Sequence, residues 1–347
     1  MAAKKVGLKD ISERAGVALS TVSHVLNGTA PISDEVRTRV LDVAREMGYL
    51  AKRRAKGAIA TLTKVLIAVP DDARPDSDVN LVSWTILNAL TQDCDKRGVK
   101  VIAHALDPSQ SPSALVEAAR ADNVEGIILI NDDREALLEA ICDSGIPAVL
   151  INGEDPNMHV DSVTPGNRFA ALKATKVLMG MGHEKIMHLT WRGRQTVRRR
   201  RDGFKDAFSE AGVSQDNAVI VMAQGYDPRF GEAAVAEWLA THPDLDGVTA
   251  IFCAADNLAF GAIKALKAAG IRVPEDMSVM GFDGVALGEL HTPPLTTVSV
   301  PLQEFGHAAL GLLEQRTHAA RDTRSAHRLE LGCDVVLRGS VAAPRSV

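Results

Sequence analysis

The chain has 347 residues, 46% of them hydrophobic and 24% charged, with a mean hydropathy near zero. This is the profile of a folded chain with apolar material for two or three cores, and it excludes a disordered one. No run of about 18 apolar residues occurs, so no membrane-spanning helix is expected, and the opening MAAKKVGLKD lacks the apolar core of a secretory signal, so a cytoplasmic location is expected. The formal charge of −5 is unevenly placed: residues 1–60 hold 11 Lys or Arg against 6 Asp or Glu, while the remainder holds 28 against 38. A basic front on an acidic body points to a polyanion at that end, a solvated basic tail being the plainer alternative. The four cysteines Cys94, Cys142, Cys253 and Cys333 lie far apart, without zinc-ligand or disulfide spacing.

In chain order, the apolar spacing through residue 49 is helical: Leu8 and Ile11, then Val22, Val25 and Leu26, then Val36, Val40, Val43, Ala44 and Met47. Three helices are predicted. Ser33-Asp34-Glu35 gives the third a polar, acidic start and Gly48 ends it. After the basic stretch LAKRRAKGAIATLT the pattern changes. KVLIAV, VKVIAHA, GIILI, PAVLIN, KIMHL, VIVMA, TAIFCA and SVMGF read as buried strands. LVSWTILNALTQDCDKRG, ALVEAARADN, REALLEAICDSG, RFAALKATKVLMGMG, FGEAAVAEWLATH and NLAFGAIKALKAAG read as helices between them. Strand and helix in alternation predict parallel, doubly wound sheets, and eight strands over about 230 residues exceed one ordinary domain, so two lobes are expected.

In DISERAGVALSTVSHVLNG the apolar Val22, Val25 and Leu26 take one side of the second helix and leave Ser20, Ser23, His24 and Asn27 on the other. Two short helices joined by a tight turn, the second with a stripe of short polar side chains, suit a major groove, whose edges distinguish all four base pairs. An ordinary helical hairpin with a solvated face is the alternative, and the basic surplus favours DNA. Gly180-Met-Gly182-His-Glu-Lys imitates a dinucleotide loop but closes a helix and precedes a strand, the reverse of what phosphate binding requires; His183 is expected to cap or pack there. No Gly-x-Ser-x-Gly, phosphate loop or His-Glu-x-x-His occurs, and no enzymatic role or cofactor is expected.

LKDISERAGVALSTVSHVLNG followed by ISDEVRTRVLDVAREMGY closely resembles the headpiece of the lactose repressor and galactose repressor family of bacterial transcription regulators. The resemblance continues, in the family's order, through GHEKI, RRRRDGFKDAF, ADNLAFGAIKALKAAGIRVPEDMSVMGFDG and PPLTTVSVPLQEFGHAAL, more weakly over residues 50–160. It implies an N-terminal all-α helix-turn-helix headpiece (1–50), a hinge (51–62) and an α/β sensor of two doubly wound, periplasmic-binding-protein-like lobes (63–347). The chain is expected to cross between lobes near residues 163, 293 and 326, giving a first lobe of about 63–163 and 293–325 and a second of about 164–292 and 326–347. The function implied is that of a repressor controlled by a small metabolite, expected to be a sugar or sugar derivative. Its partner would be a near-palindromic double-stranded DNA operator, bound as a homodimer, with a tetramer as the larger assembly. The helix around Leu81, Trp84, Leu87 and Leu90 is the candidate dimer interface, burial inside the lobe being the alternative.

The resemblance places Leu19, Ser20, Thr21, Ser23, His24 and Asn27 at the DNA. His24 stands where many relatives carry Arg, so the operator is expected to differ at that position. In the hinge, Ala58 stands where the family has a leucine that wedges into the minor groove, beside Gly57 and with Lys52 at a common Asn position. A methyl is a poor wedge, so Lys52, Arg53, Arg54 and Lys56 are expected to grip phosphates instead, a flexible basic linker being equally open. The family's effector positions map to Asn152, Arg200, Tyr226 and Asp283, and Ala255 stands where an Asn is common; Trp191, near Arg192 and Arg194, is a further candidate lining residue, a core or rim position being the alternative. A carboxylate and a guanidinium can bind paired sugar hydroxyls while an aromatic face packs on the ring. A free-standing solute-binding protein and an α/β enzyme are the rival readings.

Overall fold

The computed structural model describes residues 7–27, 32–47, 49, 62–70, 80–107, 109–318 and 325–345. The hinge positions Lys52, Arg53, Arg54, Lys56, Gly57 and Ala58 lie outside the described residues.

Helices α1 (Leu8–Ala15), α2 (Leu19–Asn27) and α3 (Asp34–Glu46) each carry apolar residues three and four apart, the spacing that makes one side of a helix buriable. Ile11, Ala15, Val22, Val25, Leu26, Val40, Leu41 and Ala44 meet in one buried cluster. The turn between α1 and α2 rests on Gly16, at φ 65° and ψ 37°, a left-handed conformation that glycine enters without a Cβ penalty. The Ser12 hydroxyl then donates to the Val17 carbonyl at 2.7 Å and fixes the chain's exit.

The rest of the chain builds two six-stranded sheets. Elements β1 (Lys64–Pro70), α4 (Leu81–Arg97), β2 (Lys100–Leu106), α5 (Ser113–Ala121), β3 (Gly126–Ile130), α6 (Glu135–Ser144), β4 (Ala148–Ile151) and β5 (Asp161–Pro165) come first. They are followed by α7 (Asn167–Gly180), β6 (Ile186–Trp191), α8 (Gln195–Ala211), β7 (Ala218–Ala223), α9 (Pro228–Thr241), β8 (Ala250–Cys253), α10 (Asp256–Ala268), β9 (Ser278–Asp283), α11 (Leu287–Leu290) and β10 (Thr296–Ser299). The chain ends with α12 (Glu304–His318), β11 (Arg328–Leu331) and β12 (Asp334–Val336). The first sheet runs β2-β1-β3-β4-β5-β11 and the second β7-β6-β8-β9-β10-β12. The strands are parallel except β12, which runs antiparallel to β10. The same winding order thus occurs twice, each time with a switch point beside its first strand, where doubly wound sheets open a crevice at the carboxyl ends of the strands. All eight strands expected from aliphatic runs are present.

The expected lobe boundaries need correction. The chain first passes from the first sheet to the second between Pro165 and Asn167, close to the expected 163. The second passage falls after Ser299 rather than near 293, because Thr296–Ser299 pairs with Met280–Asp283 inside the second sheet. The third falls after Leu331 rather than near 326, because Arg328–Leu331 pairs with Ser162–Pro165 in the first. The missed strands are polar: Thr296 and Thr297 are fully buried, with the Thr297 hydroxyl donating to Asp256 at 2.6 Å and the Thr296 amide to the Ser340 hydroxyl at 2.8 Å. Satisfied hydroxyls can occupy an interior strand that hydrophobicity does not announce.

Helix α4 is also read differently. Leu90 is fully buried beside Ile86 and Cys94, where α12 packs on the helix, and Leu81 and Leu87 are half-buried. Of the four candidate interface residues only Trp84, 39% exposed, presents a large apolar surface. Among the described residues no helix is long and apolar enough to cross a membrane.

Candidate functional site

The carboxyl ends of the two sheets face each other across a cavity of about 580 Å³. Pro70, Asn131 and Asn152, at or just past the ends of β1, β3 and β4, line it from one side. Trp191, Ala255 and Asp283, at the ends of β6, β8 and β9, line it from the other. All five residues expected at the effector, Asn152, Arg200, Tyr226, Asp283 and Trp191, line this one cavity.

Arg200 is the anchor of the second lobe's side. It is buried; its Nε donates to Asn167 at 2.8 Å and its Nη1 to the Ala254 carbonyl at 2.6 Å and to Asp283 at 3.0 Å, with the guanidinium 3.7 Å over the Phe282 ring. Asp283 sits at φ 120°, a strained conformation for a residue with a side chain, which aims its carboxylate into the cavity wall. Burial pushes the Asp283 carboxyl up, and the charges of Arg200 and Arg194 pull it back. Behind it lies a second carboxyl that sequence reasoning missed. Asp256, at the start of α10, is pushed up to about 8 by burial and by the charge of Asp283, although Thr297 and the Val285 amide donate to it. Space for it exists because residue 281 is glycine: a Cβ there would stand 2.1 Å from the Asp256 carboxylate.

A chain of amides ties the lobes together. The Asn80 amide donates to the Tyr226 hydroxyl at 3.1 Å, the Ser83 hydroxyl to Asn80 at 3.2 Å, and Asn131 to Ser83. Asn152 donates to Asn131 at 2.7 Å, and Arg194 of the second lobe donates to Asn131 at 2.7 Å and to the Asn152 carbonyl at 2.8 Å. Asn131 and Asn152 both have positive φ, 60° and 53°, the left-handed geometry that asparagine tolerates best after glycine. The buried Asn152 Oδ1 has no hydrogen-bond partner among the described residues. Trp191 and Tyr226 stand 6.1 Å apart as an aromatic wall. Asn131 could have been found from sequence, since it follows GIILI as Asn152 follows AVLI. His183 packs as expected: it is buried between the Thr249 hydroxyl and the Ala342 carbonyl, at 2.8 and 3.0 Å.

On α2, the apolar side is buried as its pattern requires, and the opposite side is open. Leu19 is 50% exposed, Ser20 and His24 are exposed, and Thr21 and Ser23 are half-buried. Asn27 closes the helix; its side chain lies outside the described residues. The α1-α2 pair offers a helix whose outer face carries hydroxyls and an imidazole, the chemistry for base edges.

Comparison with known proteins identifies the family of both parts of the chain. Residues 7–51 match the model described as bacterial regulatory proteins, lacI family, and residues 175–341 match a periplasmic binding protein-like domain. The chain is 31% identical over 309 residues to the HTH-type transcriptional regulator DegA of Bacillus subtilis (strain 168), covering 87% of this chain and 88% of that protein. It is 28% identical to the ribose operon repressor of Haemophilus influenzae, covering 96% of this chain and 98% of that one. The solved structure of a transcriptional regulator CelR–cellobiose complex superposes with a TM-score of 0.70 at 25% identity, covering 97% and 100% of the two chains. The chain belongs to the LacI family of bacterial transcriptional regulators. Members of this family are DNA-binding regulators and not enzymes, and its fold, a helical headpiece followed by two α/β lobes, is the one described above.

Proposed function

We propose that this chain is a ligand-responsive repressor that binds a near-palindromic operator as a homodimer and is controlled by a sugar or sugar derivative in the interlobe cleft. The observation that carries this reading is the convergence of Asn152, Arg200, Tyr226, Asp283 and Trp191 from both lobes on one cavity, in a chain that opens with the family's DNA-binding module. A cavity with a carboxylate, an amide and an aromatic wall suits a polyhydroxylated ring, which donates and accepts at neighbouring hydroxyls and offers a C–H face. Two similar proteins support the class: one is named a ribose operon repressor and another was solved with cellobiose.

Base readout is assigned to Leu19, Ser20, His24 and Asn27, further DNA contact to Thr21 and Ser23, and phosphate contact to Lys52, Arg53, Arg54 and Lys56. A single small headpiece reaches too few phosphates for tight binding, and two related by symmetry read two half-sites. Trp84 is the side chain on α4 best placed to contribute to a dimer contact. Control would be a population shift: the ligand binds one lobe arrangement better than the other and biases the headpiece spacing accordingly.

The test is fluorescence anisotropy of the purified chain on a randomised operator library, at low and moderate salt, with and without a panel of pentoses, hexoses, disaccharides and sugar acids. Selection of a two-fold sequence whose affinity one of these sugars changes supports the reading. Binding no tighter than to bulk DNA, under every sugar, overturns it. His24→Ala should relax preference at one base pair of each half-site, and unchanged preference removes His24 from the readout.

A further inference from the structure

Sharing Trp191 and Gly193 with the cleft lining, the second lobe holds a smaller pocket of about 110 Å³ lined also by Thr190, Arg192, Val197, Arg198 and Arg201. At about 30 Å³ per water it has room for a small polyatomic ion. Its lining contains three arginines and no carboxylate.

The helix that supplies two of these arginines carries four in a row, and the four have divided their work. Arg199 pairs with Glu154 at 3.1 Å and Arg200 with Asp283 at 3.0 Å. Arg198 and Arg201, three apart on α8 and so on one side of it, are left toward the pocket, where Arg192 joins them from the loop after β6. None of these three side chains makes an ion pair or hydrogen bond among the described residues. The floor supplies an independent observation. Thr190 is fully buried and its hydroxyl has no hydrogen-bond partner. Strand alternation puts it on the same side of β6 as His188, whose ring stacks on Phe204 of α8 at 5.0 Å. A buried hydroxyl left without a partner costs stability unless something accepts its proton.

We propose that Thr190, Arg192, Arg198 and Arg201 form an oxyanion pocket, separate from the interlobe cleft, that takes a phosphate-class group. Guanidinium forks match the paired oxygens of a tetrahedral oxyanion, and the threonine hydroxyl donates to a third oxygen. Because Trp191 walls both spaces, the group can arrive as free phosphate or as the phosphorylated arm of a molecule that also enters the cleft. The pocket's chemistry is the same for both.

The experiment is isothermal titration and thermal shift of the full chain with inorganic phosphate, against sodium chloride at matched ionic strength. Phosphate should bind saturably and raise the melting temperature. The double variant Arg198→Gln with Arg201→Gln should weaken phosphate by about ten-fold or more. Thr190→Val gives a signature that misfolding does not imitate: a melting temperature without phosphate at or above that of the parent, with a smaller phosphate-induced rise. A hexose 6-phosphate that binds tighter than both phosphate and the parent hexose identifies the arm, whereas independent, additive binding of hexose and phosphate identifies the free ion. A phosphate response equal to that of chloride, or one retained in full by the double variant, overturns the proposal. It does so without touching the operator and sugar reading above, which is measured on different ligands.

Discussion

Arg200 and Asp283 form a buried pair at 3.0 Å, and the arginine is held on its other sides by Asn167, the Ala254 carbonyl and the Phe282 ring. Removing one partner of such a pair leaves an uncompensated charge out of water, which costs about 3–5 kcal/mol. Arg200→Ala should therefore lower stability by that order in urea denaturation followed by the fluorescence of Trp84, Trp191 and Trp238. Adding Asp283→Asn should restore part of the loss, because no orphan carboxylate then remains. A double variant less stable than Arg200→Ala would contradict this account.

Asn80 and Tyr226 bridge the lobes at 3.1 Å. Tyr226→Phe keeps the aromatic wall and deletes the hydroxyl, a loss of about 1 kcal/mol, or roughly five-fold in an equilibrium. The unliganded chain should open, seen as a larger radius of gyration in small-angle scattering and faster amide exchange at residues 80–83. Scattering identical to the parent's would mean that this bridge does not hold the lobes.

Gly16 has open space around its Cα, with no atom within 4 Å of an added Cβ, yet its φ is 65°. The cost of Gly16→Ala is thus conformational alone, about 1–2 kcal/mol. It should fall on the headpiece: DNA affinity drops and exchange accelerates across residues 8–26, while the melting of the two lobes stays put. A variant with parental DNA affinity and headpiece protection would show that the turn does not need its left-handed residue.

The Asp256 carboxyl, pushed up to about 8 from an ordinary 3.8, keeps its proton in the folded chain at pH values where the unfolded chain has lost it. The folded state then binds more protons, so this group's contribution to stability falls as pH rises from about 4 to about 8 and is level above. Asp256→Asn stays neutral throughout. The parent's stability relative to the variant should decline through that window in urea titrations at pH 5, 6, 7 and 8, and parallel curves would refute the assignment.

The aliphatic strands and amphipathic helices were legible because burial writes itself into periodic hydrophobicity. The strands at the passages were not, because their interior positions carry polar groups that find partners only after folding. Asp161, fully buried in β5, is the clearest case: it accepts from Arg316 at 2.6 and 2.7 Å and from the His327 amide, partners some 160 residues away. In the cleft, Asn152, Arg200, Tyr226 and Asp283 were legible through resemblance and strand-end position. Asp256 was not, since an acidic residue opening a helix reads as an ordinary first-turn charge. Its character comes from Asp283 and from the glycine that makes room for it.

The duplicated winding order, with both sets of strand ends turned inward, splits every cleft contact between two bodies. A molecule seated on one half alone would forfeit whatever the other half offers, so the strength of its grip doubles as a ruler for the gap between them. Variants that widen or narrow that gap should therefore rank in the same sequence whether they are ordered by scattering or by dissociation constant.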